Sequence, residues 1–297
     1  MELICDLAKL IQVQTPEQIE YYPTLPTPDD RPQPDAAPTP NNPPWNAGVA
    51  LAVWFVSVLF ILVIPAIFLL PYLALQDPPI SDNAQMVEFA KSDPTAIFLQ
   101  IIAIIPAHIL TIVMAWLVVT RGRQYPFLKT LGWRTGGFRW WHYVVVLGGF
   151  LVIAGFVGQF FPEQDNELLR ILRSSRAAVF VVAFLATFTA PFVEEVIYRG
   201  VLYSAFQRTF GIPAAFLFVT LLFALVHVPQ YYPSMSTIFL LTLLSVILTF
   251  IRVKTGNLLP CVILHTLFNG LQSVFLILEP LINTADVPEK AATVLLK

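Results

Sequence analysis

Charge is what this 297-residue sequence has least of: Asp, Glu, Lys and Arg make up only 12% of it. Soluble domains carry about a quarter, so an ordinary water-facing surface is excluded. The two signs nearly balance, to a net charge of −2, which leaves no basic face and no expected nucleic-acid partner. Cysteine is scarce as well. Cys5 and Cys261 make no disulfide framework and show no metal-ligand spacing. The opening Met1-Glu2-Leu3-Ile4-Cys5-Asp6 lacks a basic stretch and a continuous apolar core, so no cleavable signal peptide is expected and the first span serves as targeting signal. What fills the chain instead is apolar: 57% of the residues are hydrophobic.

The sequence divides into a tail, 1–46, and a membrane domain, 47–297. Leu3, Ile4, Leu7, Leu10 and Ile11 recur at weak helical spacing, as in a short interfacial helix. Pro16–Pro44 then holds ten prolines and no apolar period, the pattern of a disordered tether without chemistry. Seven apolar segments follow, at Ala47–Leu75, Thr95–Val119, Tyr143–Phe161, Ala177–Tyr198, Ile212–Val228, Met235–Ile251 and Leu258–Leu278. Each is near the roughly 20 residues that cross hydrocarbon. The fourth continues as an amphipathic helix to Phe210, where Gly211 and Pro213 end it. An eighth span over Glu279–Lys297 is weak, because Pro288 and several charges interrupt it. The expected fold is an all-α, polytopic transmembrane bundle of about seven spans.

Orientation follows from loop lysines and arginines. Arg121, Arg123, Lys129, Arg134, Arg139, Arg208, Arg252 and Lys254 fall on one side, taken as the cytoplasm; Arg170, Arg173 and Arg176 oppose that assignment. The expectation is an integral protein of a bacterial inner (cell) membrane with its N-terminus cytoplasmic.

Against this background Glu194, Glu195 and Arg199 stand out, because a charged side chain at the bilayer centre costs roughly 2.5–3.5 kcal/mol on insertion scales. Such groups face a lined or wet cavity and pair with one another. Glu195 and Arg199 are four residues apart, acid first, and stack on one helix face. Their bland reading is a buried ion pair that braces the helix. Glu194 points about 100° away and has no partner on its own segment, which suits a general base.

Its expected partner is His227. If the fourth and fifth helices turn near Phe210–Gly211, Glu194 and His227 each lie about 16 residues from the turn and share one depth. In the last segment His265 and Asn269 are again four apart. Their N–H groups suit a developing oxyanion, although interhelical hydrogen bonding would use the same residues. The combination suggests hydrolysis of an amide or ester in or beside the membrane. Two histidines are left out of it. His108 is expected to satisfy backbone freed by Pro106, and His142, beside Trp140, Trp141 and Tyr143, to join an interfacial belt.

Glu194-Glu195-x-x-x-Arg199, Phe223-x-x-x-His227 and His265-x-x-x-Asn269, with Gly200, Pro229 and Gly256-Asn257, resemble the CAAX prenyl endopeptidase type II and bacteriocin-processing family, abbreviated CPBP or Abi. The resemblance covers about 177–273. It implies an intramembrane endopeptidase in which Glu194 and His227 activate water, His265 and Asn269 form the oxyanion site, and Glu195 and Arg199 support them. It also implies a membrane-associated protein or lipidated peptide as substrate, with membrane lipids as surroundings. The family is often called a metalloprotease, yet the chain has no His-Glu-x-x-His. Zinc among Glu194, His227 and His265, and a metal-free glutamate mechanism, stay open alternatives. Two other readings compete: a non-catalytic scaffold or immunity protein whose polar cluster is structural, and a small proton-coupled transporter, for which no internal repeat is found.

Overall fold

The computed structural model describes residues 37–283, with side chains described through Leu278. The Met1–Gln14 helix, the tether up to residue 36 and most of the doubtful eighth span lie outside the described residues. Among those described no strand forms beyond an isolated bridge between Thr39 and Asn42. Seven helices are long and apolar enough to cross a membrane: α1 Ala47–Ala74, α2 Pro94–Val119, α3 Trp140–Phe160, α4 Arg176–Phe210, α5 Ile212–Tyr231, α6 Met235–Thr255 and α7 Leu259–Leu278. The seven expected apolar segments are all present.

Local chemistry sets the ends and breaks. Asn46 Oδ1 accepts the Val49 N–H at 2.9 Å and Ser175 Oγ accepts the Ala178 N–H at 3.1 Å, each satisfying a donor that a helix start leaves orphaned. Gly256 stops α6 in the left-handed region, φ +64°. Pro106 has no N–H to give the Ile102 carbonyl, and α2 is divided at Ala103 into Pro94–Ile102 and Ile104–Val119.

α4 is the axis of the bundle. It runs unbroken to Phe210, as its amphipathic continuation indicates, and contains two wider π-helical turns, Leu185–Thr189 and Val196–Leu202. Every residue of the second turn is buried. Val196, Tyr198, Val201 and Leu202 pack with Val53 of α1, Ala115 and Val119 of α2, Val219 and Phe223 of α5, and Val262 of α7. α3 is peripheral. Phe150 is its single buried residue and packs edge-on to Phe268, ring centroids 4.6 Å apart. The outer faces are apolar: Leu62, Val152 and Phe156 are 64%, 74% and 63% exposed. In water such a surface would be a liability; in hydrocarbon it is the ground state.

One departure from the sequence reading concerns the tether. Its last residues, Pro38–Pro44, and the following Trp45 lie against the bundle. Trp45 Nε1 donates to Val201 O at 3.0 Å, Gln207 Nε2 to Asn41 O at 3.3 Å, and Arg208 Nη2 to Trp45 O at 3.1 Å.

Candidate active site

The two glutamates sit on the single α-helical turn Ala190–Glu195 between the π turns of α4. π turns are rare and are concentrated at functional sites. The first of these has a readable cause. The residues able to donate to Ala186 O are Ala190, whose N–H goes to Leu185 O, and Pro191, which has none. That carbonyl is satisfied from α7, where Asn269 Nδ2 donates to it at 2.9 Å. One of Asn269's two N–H groups is thus committed to holding the bulge, a bond that the oxyanion expectation did not include.

Glu195 and Arg199 pair as their spacing indicates, Nη1 to Oε1 at 2.8 Å, both side chains fully buried. The guanidinium also donates to Ser245 Oγ at 2.8 Å, Ser245 O at 3.2 Å and Thr249 Oγ1 at 3.4 Å, and it lies 4.7 Å over the Phe223 ring. Ser245 and Thr249 went unnoticed in the sequence, although two hydroxyls four apart in an apolar segment are the signal that marks a shared polar face.

Glu195 Oε1 accepts a second bond, from His265 Nδ1 at 2.9 Å. A carboxylate at Nδ1 fixes the proton there in the neutral ring and leaves Nε2 as an acceptor. Nε2 faces Glu194, whose Oε2 is 3.8 Å away. Glu194 is the exposed member of the cluster, its side chain 24% accessible against 3% for His265.

This alters the expected pairing. Among the described residues no hydrogen bond or ion pair joins Glu194 to His227, and the imidazole in polar contact with Glu194 is His265. Tyr198 packs on Phe223 at 5.1 Å between centroids, which brings α4 and α5 into contact in the region of Glu194 and His227. His227 is turned by its own helix, with Nδ1–H donating to Phe223 O at 2.6 Å and Nε2 left as acceptor.

His108 also differs from its sequence reading. Its Nδ1 lies 2.9 Å from Thr189 Oγ1, in the first π turn, rather than on backbone near Pro106. The Thr189 hydroxyl donates to Leu185 O at 3.2 Å, so His108 is the donor of that pair. It is buried, at 8% exposure, against the turn that directly precedes the one carrying Glu194. His142 stays at the helix start, accepting the Arg139 N–H at 2.8 Å and stacked on Trp141.

The metal expectation is tested by the donor set. Among the described residues no group of three or more His, Cys, Asp or Glu is placed to hold a metal ion. A zinc site needs three protein ligands or more; Glu194 and His265 Nε2 are two, and His227 does not join them. Two donors on one side of the site do not make a zinc site. An open cavity of about 910 Å³ between Asn83–Ser92 and Glu167–Ser174 has none of the motif residues in its lining.

Residues 176–271 match the family model for type II CAAX prenyl endopeptidase, Rce1-like. That segment is Rce1-like. The match covers about a third of the chain, spans all three motifs and bears out the resemblance to the CPBP family. No curated protein and no solved structure matches the chain. The Rce1-like segment is that of a protease family, and with seven apolar helices the chain is an integral membrane protein.

Proposed function

We propose that the protein is an intramembrane endopeptidase that hydrolyses a peptide bond of a membrane-associated protein or lipidated peptide, with Glu194 as general base. The observation that carries this reading is the Glu195–His265–Glu194 arrangement inside the Rce1-like segment. A gap of 3.8 Å is too long for a direct hydrogen bond. It suits a water held by both groups, at about 2.8 Å from each. Glu194 takes that water's proton as its oxygen attacks the scissile carbonyl carbon, and returns a proton to the leaving nitrogen as the C–N bond breaks. His265, oriented by Glu195, aligns the water. The second N–H of Asn269 is the donor left for the developing oxyanion, and His227 Nε2, an acceptor on the facing helix, is left for an N–H of the leaving amine.

The dry flank of the site supports this chemistry. Arg199 spends its charge on Glu195 and on Ser245 and Thr249, so Glu194 is not neutralised by it. The family name points to prenylated peptides, whose lipid would lie along the exposed apolar faces of the helices. The orientation follows the loop charges: N-terminus cytoplasmic, in a bacterial inner membrane. The arginines that oppose it are partly compensated, since Arg173 pairs with Asp165 at 2.7 Å and Arg170 with Glu167.

The test is cleavage of lipidated reporter peptides by the purified protein in liposomes. Wild type turns over, whereas Glu194→Ala and His227→Ala lose activity with unchanged expression and melting temperature. Equal turnover in all three rejects the assigned roles.

A further inference from the structure

Arg252, near the end of α6, belongs to none of the three motifs and is fully buried. A buried guanidinium normally meets a carboxylate. Among the described residues every partner of this one is neutral. Nη1 donates to Asn41 Oδ1 at 3.0 Å, and Nη2 to Pro40 O at 2.7 Å and Ser204 Oγ at 3.2 Å. Nε donates to Arg199 O at 3.3 Å, and the Tyr203 ring lies 5.1 Å from the guanidinium carbon. Two of these acceptors come from Pro38–Pro44, the end of the proline-rich stretch.

The Arg199 carbonyl is a particular target. In the second π turn of α4 the Tyr203 N–H bonds Tyr198 O. An α-helix would have given that N–H to Arg199 O. Arg252 Nε meets the carbonyl so released, and Trp45 Nε1 meets Val201 O two residues on. The backbone register on which Arg199 projects is therefore held from outside the helix. From Arg199 two hydrogen bonds lead to the imidazole, guanidinium to Glu195 at 2.8 Å and His265 to Glu195 at 2.9 Å, and His265 Nε2 faces Glu194 across 3.8 Å.

We propose that Arg252, seated by Pro40 and Asn41, is a positioning residue for His265: it fixes the π register at Arg199, hence the Arg199–Glu195 pair, hence the imidazole that faces Glu194. The proposal deepens the peptidase reading and rests on it for its kinetic consequence. It gives the N-terminal segment a role in setting the site without contact with substrate. Loss of the external donors lets the turn relax toward α-helical register, which rotates the Glu194–Glu195 turn relative to Arg199 by about 100° per residue of slip.

Asn41 gives the cleanest test, because it is exposed and its replacement leaves the core intact. Asn41→Ala removes one acceptor of Arg252, whereas Asn41→Asp keeps an oxygen in place. Arg252→Lys keeps the charge and cannot reach four acceptors at once. Two readouts are taken on full-length protein: steady-state kinetics on the lipidated reporter, and hydrogen exchange at the imidazole C2 of each histidine by mass spectrometry. The second needs no turnover.

For Asn41→Ala we expect kcat to fall about 10-fold with KM within about 2-fold, the size typical of losing an outer orienting partner. Asn41→Asp recovers wild-type kcat, and Arg252→Lys falls further than Asn41→Ala. His265 C2 exchange changes about 2-fold or more in Asn41→Ala while that of His142 does not, since one ring is held by Glu195 and the other lies at the helix start. Unchanged His265 exchange in both Asn41→Ala and Arg252→Lys, with the melting temperature retained, overturns the proposal. A wild type without turnover counts against the peptidase reading, and the exchange measurement still decides this one.

Discussion

Glu195 Oε1 is shared: Arg199 Nη1 reaches it at 2.8 Å and His265 Nδ1 at 2.9 Å. One buried oxygen therefore ties α4 to α7 and fixes which face of the imidazole looks at Glu194. Its other oxygen, Oε2, is buried without a hydrogen bond. The carboxylate is committed to holding its neighbours rather than to reacting, which separates the two adjacent glutamates by role.

That separation predicts opposite outcomes for the same change at adjacent positions. Glu194→Gln keeps the shape and removes the base, so peptide cleavage falls by about 10²–10⁴-fold while stability is retained. Glu195→Gln leaves Arg199 without its carboxylate and lowers stability by about 3–5 kcal/mol, the usual cost of breaking a buried pair from one side. Turnover and unfolding in the same detergent are measured for both variants. Loss of stability at Glu194, or its retention at Glu195, would reverse the assignment.

The polar groups were legible in the sequence because the membrane makes each of them costly; Glu194, Glu195, Arg199, His265 and Asn269 announce themselves by standing in apolar runs. The i, i+4 rule then gave the Glu195–Arg199 bond. Three things were hidden. The π turns shift the helix faces of α4, and 3.6-residue counting cannot register them, although Pro191 marks the first. Which imidazole meets Glu194 depends on rotamers: His227 is drawn to Phe223 O and His265 is aimed by Glu195, and neither preference is written in spacing. Pro38–Trp45 was hidden for another reason. Its bonds to Arg252 and from Trp45 involve mainly backbone carbonyls, which every residue has.

His108 gives a prediction that sequence motifs would not. It is bonded to Thr189 in the first π turn, directly ahead of the turn that carries Glu194. Thr189→Val removes the acceptor and frees the ring to rotate, so cleavage drops about 10-fold with little change in substrate affinity. His108→Phe, which keeps an aromatic ring of similar bulk, drops it at least as far. Kinetics on reporter peptides check both; wild-type kcat in either variant would place His108 outside the site's working parts.

The strongest test of the first π turn is a double-mutant cycle between Pro191 and Asn269. Asn269→Ala leaves the half-buried Ala186 carbonyl without its donor, which costs about 1 kcal/mol. The cause of that vacancy is proline, so Pro191→Ala returns an N–H to the turn and lets the helix satisfy Ala186 O itself. In the Pro191→Ala background Asn269→Ala should therefore cost much less, an interaction energy of up to about 1 kcal/mol between residues on different helices. Activity separates the two duties of Asn269. If its amide only braces the bulge, the double variant regains turnover along with stability. If its second N–H also serves the reaction, stability returns and turnover does not.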